Sequence, residues 1–376
     1  MISVIPVDSE KTLKQFIDFP FELYKNHRYW VPPIRKEVYR LLDKGHNPFW
    51  QHTERQLFLA FRDRNLVARV CAMIDYNYIE FWGEKTGYFG FFESDRDPEV
   101  CRVLFDEVRK FQAEKGMSSF IGPLNPSTND ECGMLIEGYF SPPYVMMTYN
   151  FEYYHDLMKA AGMEKAKDLF AHYFDMKDAR LDYLERMASI IRQRVQDIRV
   201  RPVNLRDFKG EVNKIREVYN DAWSRNWGFV PMTDAEFNLL AQNLKPGVVP
   251  ELLIIVEINN QPVAVSLTLP NYNLLFQKFN GRFGLIEMLK FAINKKKIRE
   301  ARLVIMGVKK QYRKIGMEGL MLLESIKNGQ KLGITGGELS WTLEDNYPIN
   351  NTIAKMGGKV YKKYRIYRGR VLKEAV

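Results

Sequence analysis

The feature that most restricts how this 376-residue chain can fold is one order of elements written twice. FFES precedes a helical stretch in the first half, as MGVKK does in the second. YYHDLMKAAGMEKAKDLFAHY parallels NYPINNTIAKMGGKVYKKYRIY, each a helix ended by glycine and followed by a strand bearing Lys and Tyr. Two copies at so long a period predict duplicated domains rather than a solenoid, and the length alone calls for more than one hydrophobic core.

Within the first copy, Gln56–Arg62 and Val67–Ile74 read as neighbouring strands around a turn at Asp63–Asn65. Tyr88–Glu93 is an almost wholly apolar strand, as expected of one buried on both faces. Val103, Leu104, Val108 and Phe111 fall at helical spacing before Gly116. Ser119–Gly122 reads as a strand, Tyr153–Ala161 as a helix and Asp168–Phe174 as a strand. The second copy repeats this: Glu251–Glu257 and Pro262–Leu269 around Asn259–Gln261, then strand Arg302–Val308 and helix Ile315–Leu332. Strand Gly337–Leu343, helix Ile349–Met356 and strand Val360–Tyr367 close it. The expected division is a first domain over 1–175 with an aromatic N-terminal extension, a charged helical linker over 176–200, and a second domain over 201–376.

Hydrophobic residues at 46% and charged residues at 27% exclude a disordered or fibrous chain. Three cysteines without a CxxC pair give neither a disulfide framework nor a zinc site, and the five histidines have no metal-ligand context. No metal is expected. Neither a secretory signal nor an apolar run of membrane-spanning length is visible, so the expected place is the cytoplasm, or the periphery of the inner membrane face. Residues 1–200 hold 27 basic and 30 acidic side chains, whereas 201–376 hold 29 and 16, so the whole excess of +10 belongs to the second half. That asymmetry suits an anionic partner such as a phosphorylated cofactor or a lipid surface; a solvated basic surface is the alternative.

Val308-Lys309-Lys310-Gln311-Tyr312-Arg313-Lys314-Ile315-Gly316 lies between a strand and a helix, where unpartnered amides and the helix dipole favour anions. This stretch resembles the acetyl-CoA pyrophosphate loop of the GNAT acyltransferase superfamily, Q/R-x-x-G-x-G/A. Here it reads Arg313-x-x-Gly316-x-Glu318, with glutamate where the family prefers Gly or Ala and Gly319 next to it. The likeness extends over Glu251–Arg368, and NPFWQH, GYFGFFES, GPLNPSTNDECG, PPYVMMTYN, NGRFG and WTLEDN are similar to a bacterial family of tandem GNAT proteins. It implies an α+β fold of two tandem GNAT-type domains, each a mixed twisted sheet flanked by helices. The first copy lacks the loop, since SDRDPEV has no glycine.

The same resemblance implies the site. Val308, Lys309, Lys310, Arg313, Lys314, Ile315, Gly316, Gly319 and Asn346 would hold acetyl-CoA or a longer acyl-CoA as donor. Acyl transfer to an amine also needs a proton acceptor and an acid for the leaving thiolate. Glu338 and Glu344 are candidate bases and Asp345 a lesser third, each also readable as a strand-edge or capping carboxylate. Tyr347 and Tyr364 are the alternative candidate acids, because Ile353 stands where many GNAT enzymes carry tyrosine. Asn346 is also a good N-cap. The implied activity is N-acylation of an amine, a small one or a lipid amine. Some proteins of this type are linked to bacterial sphingolipid synthesis, which makes a sphingoid-type amine one acceptor to consider. A non-catalytic module that binds CoA or an acyl ligand is the rival reading. The Phe-rich insertion over 276–299, ending in Lys295, Lys296, Lys297 and Arg299, resembles an interfacial amphipathic segment with peripheral membrane contact. Nucleic acid is not an expected partner.

Overall fold

Hairpins set the registers from which both halves of the chain are built. The computed structural model describes residues 1–371; the last residues of the expected second domain, 372–376, lie outside them. The chain divides into two units. One comprises Met1–Leu169, Phe276–Glu287 and the segment beginning at Lys362; the other comprises Phe170–Leu275 and Met288–Tyr361.

In the first unit, β1 (Ile2–Pro6), β2 (Thr53–Arg62), β3 (Asn65–Asp75) and β4 (Thr86–Ser94) pair antiparallel in that order. Asp63 and Arg64 both have positive φ, the two-residue turn that matches strand twist. β5 (Ser119–Gly122) joins β4 in parallel. Helices α1 (Glu10–Leu23), α2 (Arg35–Leu42) and α3 (Tyr76–Trp82) precede α4 (Pro98–Glu114), whose Val100, Leu104, Phe105 and Val108 are buried against the sheet. Short strands β6 (Leu124–Asn125), β7 (Glu131–Cys132) and β8 (Met134–Glu137) lead to α5 (Tyr154–Ala160) and the start of β9 (Glu164–Asp175).

The second unit opens with α6 (Leu181–Arg194), where the sequence reads a linker helix. Its Leu184, Ala188 and Ile191 are buried in the core of this unit. β10 (Ile198–Pro202), β11 (Leu253–Ile258), β12 (Gln261–Pro270) and β13 (Glu300–Val308) form an antiparallel succession, and β14 (Gly336–Leu343) joins β13 in parallel. Asn259 and Asn260 repeat the positive-φ turn of the first unit. Between these strands lie α7 (Phe208–Trp223), α8 (Asp234–Leu244), α9 (Asn273–Phe279) and α10 (Leu285–Asn294). Then come α11 (Met317–Lys331) and α12 (Tyr347–Lys355). α11 buries Met317, Leu320, Met321 and Leu323 with Val256, Val263 and Leu339 of the sheet. From Lys362 onward β15 (Lys359–Arg370) belongs to the first unit, where it pairs antiparallel with β5 and β8.

Candidate acyl-donor site

The parallel register of β13 and β14 joins only Glu300–Leu303 to Gly336–Leu339. Both strands continue, to Val308 and Leu343, so they part toward their carboxyl ends and leave an opening in the sheet. Alternate backbone N–H groups of β13 beyond Leu303 face that opening, because successive peptides in a strand point to opposite sides. Ligands of open α/β sheets gather at such carboxyl ends.

The loop leaving β13 carries a set of unspent donors. The amides of Lys309, Lys310, Tyr312 and Arg313 are satisfied by the Val263 carbonyl, the Asp221 carboxylate, and the Lys309 and Lys310 carbonyls. Lys314, Ile315, Gly316, Met317 and Glu318 have no amide acceptor among the described residues. Lys314 and Gly316 adopt positive φ, 66° and 93°, which turns these amides around the first turn of α11. No side chain caps that helix. Five free amides at a helix N-terminus, with the exposed cations Lys310 and Lys314 on the same loop, form a cradle whose electrostatics suit an anion.

The equivalent place in the first unit is closed. β4 and β5 pair over Thr86–Tyr88 and Ser119–Ile121, and β6 occupies the opening beyond. Asn125 Oδ1 accepts from the Phe91 amide at 2.6 Å. A Cβ on Gly90 would lie 1.7 Å from the Leu124 carbonyl oxygen, so backbone fills the space. The N-terminus of α4 is also spent, since Asp97 accepts from the amides of Glu99 (3.1 Å) and Val100 (3.2 Å). A carboxylate sits where the second unit has unpartnered N–H groups.

The side chains singled out in the sequence separate into several settings. Arg313 turns inward: Nε donates to the Val308 carbonyl at 3.3 Å and the guanidinium also reaches the Ala222 carbonyl. It ties the loop to β13 and α7. Lys309 pairs with Glu217. Ile315 is exposed at the loop tip, and Val308 is buried at the strand end. Gly319 faces α6, where an added Cβ would meet Met187 Cε at 2.9 Å; its smallness serves helix packing. Glu318 lies in the first turn of α11, where the dipole favours a carboxylate.

Glu338 is only 1% exposed. Ser340 Oγ donates to one of its oxygens and Tyr361 Oη to the other. Arg302 Nε lies 3.6 Å from Oε1 and donates to Ser340 Oγ at 2.8 Å. A buried carboxylate paired on both oxygens is a brace between strands. Glu344, Asn346 and Tyr347 lie beyond the end of β14, at the mouth of the opening, with Tyr347 68% exposed. Asn346 stands at the N-cap of α12 without capping it through its side chain. Asn350 holds this corner instead: it accepts from Thr342 Oγ1 at 2.6 Å and donates to the Leu343 carbonyl at 3.0 Å. No group of three potential metal ligands occurs among the described residues.

No sequence motif marks α7, yet its Glu217, Asp221, Ala222 and Trp223 anchor the loop and the end of β13. A Cβ on Gly307 would meet the Trp223 ring at 2.2 Å. Val212, Ile215, Tyr219 and Ala222 at helical spacing were the available signal.

No family model matches the chain. Among solved structures, a tandem GNAT protein from the clavulanic acid biosynthesis pathway, without acetyl-CoA, covers all of this chain and is itself fully covered. Its TM-score is 0.59 at 10% identity. A GCN5-related N-acetyltransferase from Anabaena variabilis matches 99% of this chain and 73% of its own, with TM-score 0.52 and 7% identity. These likenesses give the fold, two tandem GNAT domains. Bacterial ceramide synthase of Caulobacter vibrioides is 34% identical over 375 residues, covering 97% of each chain. Protein YghO of Escherichia coli is 32% identical over 370 residues, covering 96% of this chain and 94% of that protein. With this identity along nearly its whole length, the chain belongs to the family that contains YghO and bacterial ceramide synthase, and its fold is that of tandem GNAT proteins.

Proposed function

We infer that the chain is an acyl-CoA-dependent N-acyltransferase whose second unit binds the donor and whose acceptor is a long-chain, sphingoid-type lipid amine. The observation that carries the donor half is the cradle of free amides over Lys314–Glu318 beside the β13–β14 opening. A CoA pyrophosphate suits that cradle, and a thioester carbonyl suits the N–H groups of β13. In the reaction the amine nitrogen attacks the carbonyl carbon, a C–N bond forms, the C–S bond breaks, and CoA leaves as thiolate. Glu344 is the group we assign to take the amine proton, and Tyr347 the group assigned to protonate the thiolate. Glu338, held by Ser340, Tyr361 and Arg302, keeps the strands in place. The acceptor class rests on the 34% identity to a bacterial ceramide synthase, since a ceramide is the amide of a fatty acid with a long-chain amino alcohol. The first unit, with its opening filled by β6, serves as a scaffold without a donor of its own.

The test is acyl transfer from acetyl-, medium- and long-chain acyl-CoA to sphinganine and to small polyamines, followed by mass spectrometry. Amide formed with sphinganine supports the reading. Donor binding by calorimetry without transfer to any amine would favour a binding module. The absence of both binding and transfer would refute the donor assignment.

A further inference from the structure

Every helix in a folded domain has to hide its apolar stripe, and α10 does the reverse. Leu285, Ile286, Met288, Leu289 and Ile293 are all between 52% and 86% exposed, and none of the ten residues of this helix is buried. At about 100° per residue they lie within one continuous arc of roughly 160°, together with exposed Ala292. The opposite side faces the protein. Phe291 packs on Tyr272 with ring centroids 5.0 Å apart, and Glu287 accepts from the Gly284 amide at 2.9 Å. The helix is amphipathic with its apolar side turned to solvent.

Cations border that side. Arg282, Lys290, Lys295, Lys296 and Lys297 are exposed around the helix, and none makes an ion pair with a carboxylate among the described residues, whereas the Arg299 guanidinium lies against Gly333. The preceding residues are held down and do not belong to the patch. Phe279 is buried, and Gln277 Nε2 donates to the carbonyls of Arg28 (2.9 Å) and Trp30 (3.3 Å). So the segment 276–299, read from sequence as one interfacial stretch, divides into an anchored part and a presented helix.

We propose that α10 is a docking element that lays Leu285, Ile286, Met288, Leu289 and Ile293 into the surface of an anionic phospholipid bilayer. Charge complementarity selects this occupant. A protein groove would cover the apolar face, but it gives no reason for unpaired lysines and arginines on its border, whereas anionic headgroups meet both at one depth. The helix has ten residues, and no helix among the described residues is long and apolar enough to cross a membrane, so the contact is interfacial. The inference rests on exposure and charge and stands apart from the acyl-transfer assignment.

The full-length protein is sedimented with vesicles of phosphatidylglycerol and phosphatidylethanolamine, and with phosphatidylcholine alone. Binding to the anionic vesicles, weakened by salt, is expected. Leu289→Glu with Ile293→Glu should lower partitioning at least tenfold, as introduced charge opposes insertion. Replacing Lys295, Lys296 and Lys297 by Ala should cost roughly fivefold per charge at low salt. Circular dichroism and melting temperature check that both variants stay folded, as expected for exposed positions. Absence of sedimentation with anionic vesicles overturns the proposal. So does a concentration-dependent dimer abolished by the glutamates in a chain that ignores vesicles, because a second copy then covers the face. Acyl transfer to a detergent-solubilised amine is unaffected by either result.

Discussion

Arg313 Nε donates to the carbonyl of Val308, five residues back along the chain, at 3.3 Å. The signature cation of the loop therefore closes the loop onto the strand that launches it. Removing it should act through the shape of the amide cradle. Arg313→Ala is expected to weaken CoA-thioester binding about tenfold and to lower stability by about 1–3 kcal/mol, the range for stranding carbonyls that had charged donors. Arg313→Lys should restore little of either, because one ammonium cannot reproduce the fork that meets Val308 and Ala222. Calorimetric titration with CoA separates this from direct phosphate contact, which lysine would largely rescue.

Gly316 and Gly319 are three residues apart and serve different ends. Gly316 has φ of 93°, so Gly316→Ala should cost about 1–3 kcal/mol of stability and also disturb donor binding. At Gly319 an added side chain strikes Met187 of α6. Gly319→Val is expected to lower the melting temperature, while the residual folded protein binds donor with unchanged affinity. Loss of affinity in that variant would place Gly319 at the ligand.

Glu338 and Glu344 are to be separated by their readouts. Glu338→Gln breaks a buried pair with Arg302 and should destabilise by about 3–5 kcal/mol, yet leave the pH dependence of kcat unaltered in whatever protein remains folded. Glu344→Gln should leave the folding free energy within about 0.5 kcal/mol of the parent and reduce kcat by about a hundredfold or more. Reversal of the two phenotypes would make Glu338 the base.

Acid stability of the second unit should depend on Glu257. Its hydrogen bonds from Arg201, then those from Lys214, hold the carboxyl at about 2, below the ordinary value near 4.5. A depressed folded value stabilises above the unfolded one and is lost as pH falls between about 4.5 and 2. The stabilisation is on the order of 3 kcal/mol at neutral pH. Glu257→Gln should therefore be destabilised at pH 7 and converge on the parent near pH 2. Denaturant midpoints across that range check it. In the first unit, burial raises the Glu93 carboxyl, so its ionised form costs stability at neutral pH, a cost that fades as pH falls.

Much of this protein follows from local sequence. Alternation and apolar runs determine β2, β3, β4, β11, β12 and β13, and the glycines after Lys115, Ala161, Leu332 and Met356 end the helices, because these depend on chemistry within a few residues. The resemblance carried by Arg313 and Gly316 likewise pointed to the strand–loop–helix where the free amides lie. What tertiary structure decided was the direction of each side chain and the partner of each segment. Arg313 faces backbone carbonyls because α7 lies beside the loop, and Glu338 is spent because β14 lies next to Arg302 and Tyr361. The segment from Lys362 reads as the last strand of the second copy, yet it pairs with β5 and β8 of the first unit. A strand's own residues set its pleat and faces but leave its hydrogen-bonding neighbour open, since every strand edge offers the same backbone groups. The closed opening in the first unit has the same origin: only the fold sets Gly90 against Leu124 and Asn125 against Phe91.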